Sequence, residues 1–265
     1  MRLQTDVKGE GAPLVLVGGG LTGWLSWVPH QERLASTRQV VRVQPLSVQY
    51  GLEDRPLPPD YGLETESDAL AASIDGLGLR GRVDLVAWSY GAAITLDYAL
   101  DHPDQVRTLT LIEPPAFWVL EATGRLDDES RQQRDEMRAL YAGMTRDVTE
   151  DQLATFVCQA GLCPPGHSPR ELPPWPSWVQ HRRSLRVGVA PWHHSDTAAR
   201  LRAFHRPVLL VKGTGSSHFL HQIIAGLASA LPDAEMVELP GGHAPQLAAM
   251  DAFLAELATF EAAAE

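Results

Sequence analysis

Cysteine is nearly absent. Cys158 and Cys163 are the only two in 265 residues, too few for the disulfide framework of a small secreted domain. Positive charge is also scarce. Lysine and arginine total 22 against 33 acidic residues, for a formal net charge of -11. A surface of that sign is repelled by phosphate backbones and anionic headgroups, which argues against nucleic acid and membrane surfaces as partners. No apolar run approaches the roughly 20 residues needed to span a bilayer. Residues 1–7 lack the apolar stretch of an export signal. Internal repeats and low-complexity segments are missing too. These absences point to a cytoplasmic protein, a monomer or homodimer. Its 44% hydrophobic content is enough for one large core.

What is present is a rhythm of apolar runs. Residues 13–17, 39–44, 83–87, 106–112, 206–212 and 234–239 read as strands, and residues 1–7 as an edge strand. Residues 65–77, 91–100, 218–231 and 245–261 read as helices, the last with Leu247, Met250, Leu254 and Leu257 on one face. Strands alternating with helices predict an α/β fold with a mostly parallel sheet. Residues 45–62, rich in proline and glycine, read as a loop. Residues 116–204 break the rhythm. They hold Trp118, Trp175, Trp178 and Trp192, helical patterns over 125–144 and 152–159, and Leu172-Pro173-Pro174-Trp175-Pro176, which suits neither an inner strand nor a helix interior. The segment reads as a cap inserted into a core of residues 1–115 and 205–265.

Three stretches carry chemistry. Ala87-Trp88-Ser89-Tyr90-Gly91 lies between a strand and a helix. Small residues two places either side of a serine suit a strained turn that pushes the hydroxyl outward. Gly18-Gly19-Gly20-Leu21-Thr22-Gly23 matches a dinucleotide fingerprint, but the next strand, residues 39–44, ends without the carboxylate that would hold ribose hydroxyls. Bare glycine backbone there is free instead to approach a ligand oxygen. His243 follows the last strand through Gly241-Gly242, which places it in a loop at the sheet edge. A serine needs such a base within hydrogen-bond reach. His193-His194 and His218-x-x-His221 raise a metal site, but no nearby Glu or Cys completes either set, and no metal is expected.

Val17-Gly18-Gly19-Gly20, Ala87-Trp88-Ser89-Tyr90-Gly91 and Gly242-His243 together resemble the α/β-hydrolase superfamily over the whole chain. The resemblance implies an eight-stranded-type sheet flanked by helices, with the cap between the sixth and seventh strands. It implies Ser89 as nucleophile, His243 as base, and the backbone N–H groups of Gly20 and Tyr90 as an oxyanion hole. Many relatives carry an aspartate after the seventh strand, but the loop Gly213-Thr214-Gly215-Ser216-Ser217-His218 has no carboxylate. Glu113, after the sixth strand of the family pattern, stands where other members carry the acid, and Asp233 is its rival. Hydrolases of large fungal macrolactones are similar in this glutamate and in the early glycine loop. Leu21, Trp88, Trp118, Trp175, Trp178 and Trp192 are expected to line the pocket. The implied activity is a cofactor-free serine hydrolase cleaving a small-molecule carboxylic ester or lactone through an acyl-enzyme. A carbon–carbon bond hydrolase with the same triad and a ligand receptor with little turnover are the alternatives.

Overall fold

Alternate residues of the central strands face opposite sides, and both sides are apolar. A computed structural model describes residues 1–79 and 81–264. In it, Val15, Val17, Leu85 and Leu111 pack under one helical layer, while Leu14, Leu16, Val86 and Ile112 pack under another. That two-sided burial is why the strands read as continuous apolar runs rather than alternating ones. The strands are β1 (Gln4–Lys8), β2 (Pro13–Val17), β3 (Gln39–Gln44), β4 (Val83–Trp88), β5 (Val106–Ile112), β6 (Val208–Gly213) and β7 (Ala234–Leu239). They form one seven-stranded sheet in the order β1-β3-β2-β4-β5-β6-β7. β1 runs antiparallel to β3, and every other pairing is parallel. Among the described residues the sheet has one strand fewer than the eight-stranded pattern, so β5 takes the place of the pattern's sixth strand, and the insertion follows it. β6 starts at Val208 because Pro207, having no N–H, offers only its carbonyl, which accepts from Leu109.

Register sets the site. Val17 pairs with Ala87, Trp88 with Ile112, Ile112 with Val211, and Gly213 with Leu239. These strands thus end at one edge, and the residues just beyond them, Gly18–Gly20, Ser89, Glu113, 214–217 and 240–243, are delivered side by side. In an open parallel sheet this edge is where ligands bind.

Two local expectations fail. Residues 45–62 are not all loop, because a helix spans Leu46–Leu52. Its first amides, Leu46 and Ser47, each donate to the buried Glu66 carboxylate at 2.8 Å, a cap supplied from far along the chain. The C-terminal helix is also not continuous. Helices Pro245–Ala248 and Met250–Ala263 meet at Ala249, whose φ of -126° and ψ of 50° leave the helical region. The break turns Phe253, Leu257 and Phe260 onto the sheet, while Leu247 remains 41% exposed. Between β5 and β6 the described residues form helices and turns only. Met137, Met144, Leu153, Phe156, Trp175 and Trp178 give this segment a core of its own, which meets the sheet edge at Leu21.

Candidate active site

Ser89 sits in the tight turn between β4 and the helix Tyr90–Asp101, with φ 56° and ψ -128°. A non-glycine residue there is strained, and it holds only because the neighbours fix it. Its N–H donates to Ile112 O at 2.9 Å, and its carbonyl accepts from Ala92 at 2.8 Å. Gly91 is required by close approach, since a Cβ would lie 2.3 Å from Gly18 O. The turn leaves the Ser89 hydroxyl pointing away from strand and helix.

His243 comes from the loop after β7. Its Nε2 lies 2.8 Å from Ser89 Oγ and its Nδ1 lies 2.7 Å from Glu113 Oε2. The carboxylate only accepts, so Nδ1 carries the proton and Nε2 presents a lone pair to the serine O–H. The backbone around this histidine is held on both sides. Its N–H donates to Gly161 O at 3.0 Å, and its carbonyl accepts from Trp88 Nε1 at 2.6 Å. Gly242 permits the first of these contacts, because a Cβ there would lie 2.1 Å from Gly161 O.

Glu113 is fully buried and has a φ of 46°. Its Oε1 accepts from Gly213 N at 2.7 Å and its Oε2 from Ser216 Oγ at 2.6 Å, besides His243. The loop that lacks an acid instead supplies two donors to one. Asp233 is remote from this arrangement, facing His205 at 3.6 Å on the surface.

Gly20 and Tyr90 adjoin, with a Cβ on Gly20 falling 3.2 Å from Tyr90 Cβ. The Tyr90 amide opens a helix, where no preceding turn supplies a carbonyl. Two backbone donors beside a serine can hold a developing oxyanion. The Tyr90 phenol points elsewhere, to Tyr61 at 3.0 Å, and Tyr61 donates to Glu66 at 2.8 Å. Burial pushes both phenols well above their ordinary pKa, and Glu66 above its own.

A narrow cavity of about 60 Å³ opens on Ser89 and His243. Leu21, Trp88 and Trp192 line it as expected. The pocket residues missed from sequence include Phe117, Met137, Tyr141, Phe156 and Phe219. Trp192 stacks on Phe117 at 4.6 Å between ring centroids, with Tyr141 at 5.2 Å. No Lys, Arg, Asp or Glu is among the lining residues. Three expected tryptophans lie elsewhere. Trp118 packs beside the core and faces His194, and Trp175 is buried in the insertion's own core. Trp178 lines a neighbouring groove of about 830 Å³, which shares Leu21, Trp88 and Leu162 with the cavity. Packing among the insertion's helices decides these positions, and no local pattern in the sequence encodes it.

The metal pairs also separate. His218 Nε2 faces Asp127 at 2.8 Å, and His221 Nε2 faces Gly213 O at 2.8 Å.

A family model described as the alpha/beta hydrolase family matches residues 14–256. The chain belongs to that family. Among curated proteins, this hydrolase is 39% identical over 107 residues to a 2-hydroxy-6-oxo-2,4-heptadienoate hydrolase from Pseudomonas putida, covering 39% of this chain and 38% of that protein. It is 28% identical over 175 residues to a 2-hydroxymuconate semialdehyde hydrolase from a Pseudomonas species, covering 63% and 60%. The matches therefore span less than two thirds of either relative. Among solved structures, an alpha/beta hydrolase from Sphaerobacter thermophilus is 25% identical, with a TM-score of 0.69 over 95% of this chain and 96% of that one. Among the described residues, no helix of this hydrolase is long and apolar enough to cross a membrane.

Proposed function

We propose that this hydrolase cleaves neutral carboxylic esters or lactones through an acyl-enzyme on Ser89. One observation carries the reading: the Ser89–His243–Glu113 line opens on an apolar cavity with no lining Lys, Arg, Asp or Glu. His243 Nε2 takes the Ser89 proton as Oγ attacks the carbonyl carbon, and electrons move onto the carbonyl oxygen. The N–H groups of Gly20 and Tyr90 receive that oxyanion. Glu113 stabilises the imidazolium. Collapse breaks the bond to the leaving alkoxide, which takes the proton from His243 Nε2. A water activated by the same nitrogen then releases the acid and restores Ser89. The cap role of residues 116–204 belongs to this reading, in which the aromatic wall of Phe117, Tyr141 and Trp192 holds the acyl group.

Carbon–carbon bond hydrolysis is the second reading, favoured by relatives whose names denote a dienoate and a muconate derivative. A carboxylate buried in this cavity would meet no cation among the lining residues, and an unpaired buried charge costs several kcal/mol. The test joins a serine-reactive fluorophosphonate with a substrate pair. Mass spectrometry should place one adduct on Ser89. A neutral nitrophenyl ester should exceed its succinate half-ester by about a hundredfold or more in kcat/KM, the equivalent of such a penalty. No adduct on Ser89 refutes the nucleophile, and a preference for the anionic substrate transfers the case to the second reading.

A further inference from the structure

Away from the cavity, three buried side chains converge where residues 190–197 return toward the core. Asp97 lies on the helix Tyr90–Asp101, while His194 and Asp196 lie between the helices Ala190–His193 and Ala198–Ala203. One ligand atom from each falls within 4.8 Å of the others. Their side chains are only 6%, 7% and 5% exposed.

The histidine is oriented from behind. Its Nδ1 lies 2.8 Å from Glu64 Oε1, a carboxylate on the first turn of the helix Leu63–Leu77. That contact takes an Nδ1 proton, and Nε2 faces Asp97 Oδ1 at 3.5 Å. That separation is too long for a good hydrogen bond. It fits two ligands of one tetrahedral ion, since donors about 2.1 Å from a common centre lie about 3.4 Å apart. A carboxylate behind a ligating histidine is the usual way its tautomer and ring plane are fixed. The local charge favours a cation. Four carboxylates, of Glu64, Asp97, Asp101 and Asp196, gather around two bases, the Arg200 guanidinium and the His194 imidazole. Asp196 also accepts from Arg200 Nη1 at 2.7 Å and Thr197 N at 2.6 Å, and each oxygen keeps a further lone pair. Burial raises the Asp97 pKa, and His194 and a hydrogen bond from Ser67 oppose that rise.

The geometry points to a second site: Asp97, His194 and Asp196 bind one divalent transition-metal ion, with zinc suited to the nitrogen and oxygen donors, and Glu64 positions the histidine. None of the four residues lines the Ser89 cavity, so the inference stands apart from the hydrolytic reading. The ion would tie the returning end of the insertion to two core helices, two residues beyond Trp192.

The test is calorimetric titration of the metal-stripped full chain with zinc, alongside thermal unfolding. One zinc per chain is expected, with a rise in Tm. His194→Gln should abolish this binding. Glu64→Gln should weaken it about 10–100-fold, as outer-shell changes do, and the 65% exposed Glu64 side chain makes that variant safe for folding. Cobalt as a second probe should give the absorption of a mixed nitrogen and oxygen site. The inference is overturned if the wild type takes up no zinc. It is equally overturned if folded Glu64→Gln retains wild-type stoichiometry and affinity, which would put the ion on other histidines and leave this cluster an ion-paired latch.

Discussion

The sheet edge and the helical insertion meet at one cavity but fix their residues by different means. At the edge, backbone and hydrogen bonds decide. Ser89 and Glu113 both have positive φ, and Glu113 accepts from Gly213, Ser216 and His243. In the insertion, packing decides, as Trp192 lies on Phe117 and beside Tyr141 with its indole N–H unpartnered among the described residues. Directional bonds place atoms to a few tenths of an ångström, as proton transfer demands. Stacked rings shape a volume and tolerate change. The edge is therefore suited to chemistry and the insertion to selection among substrates.

The comparison sharpens if substitutions at the edge strike kcat and those in the insertion strike KM. Ser89→Ala should have the largest effect, a fall of about 10⁶ in kcat with unchanged unfolding, measured by ester hydrolysis and thermal denaturation. Glu113→Gln comes next, at about 10⁴ in kcat with KM nearly constant. Asp233→Asn should leave both constants alone, and an equal loss there would dissolve the acid assignment. A third effect is on stability and belongs to the core. His30, fully buried against Trp27 and Phe253, has its pKa lowered to about 4, chiefly by burial. The unfolded chain takes up that proton near the ordinary histidine value of 6.5 and the native one only near 4, so this stability is complete above pH 6.5 and lost as pH falls to 4. The loss is about 3 kcal/mol, seen as a steeper fall of Tm than in His30→Gln. Ser216→Ala should lower kcat about tenfold by removing one charge-assisted bond to Glu113. Trp192→Ala should be smallest on kcat and raise KM about tenfold or less through lost apolar contact. A kcat collapse in Trp192→Ala would erase the division between the two regions.

The same division explains what was legible in the sequence. Apolar runs mark β2 to β6, because burial on both faces writes itself into consecutive residues, whereas the edge strands β1 and β7 are largely exposed and carry a weaker pattern. Ser89 follows its strand directly and His243 follows the last strand through Pro240-Gly241-Gly242, so their places at the edge could be read. Glu113 was reachable through the family resemblance, in which some members carry the acid after the strand beside the nucleophile, once the loop 213–218 showed no carboxylate. Ser216 and Gly213 were not, since their contact with Glu113 exists only once Ile112 pairs with Val211. The helix Leu46–Leu52 was hidden for a similar reason, its capping carboxylate lying about 20 residues away at Glu66. In the insertion, apolar composition revealed that tryptophans would pack but not against what, and Trp118 and Trp175 were wrongly expected at the pocket. His194 was seen, while its neighbours Asp97 and Glu64 lie on helices far along the chain.

The bond from the His243 amide to the Gly161 carbonyl has a consequence for the order of events in turnover. The carbonyl belongs to the insertion, the roof of the site on the proposed reading, and the amide to the loop that aims the imidazole. A roof that lifts here gives up a hydrogen bond worth about 1 kcal/mol net, and with it a restraint on the base. On the proposed ester or lactone reading, bond cleavage is then tied to the closed interval of the cycle and escape of the acid to the open one. On that same reading, an alcohol entering while the roof is raised meets a poorly aimed imidazole, so the reverse esterification is discouraged at the moment when the product is most exposed to it.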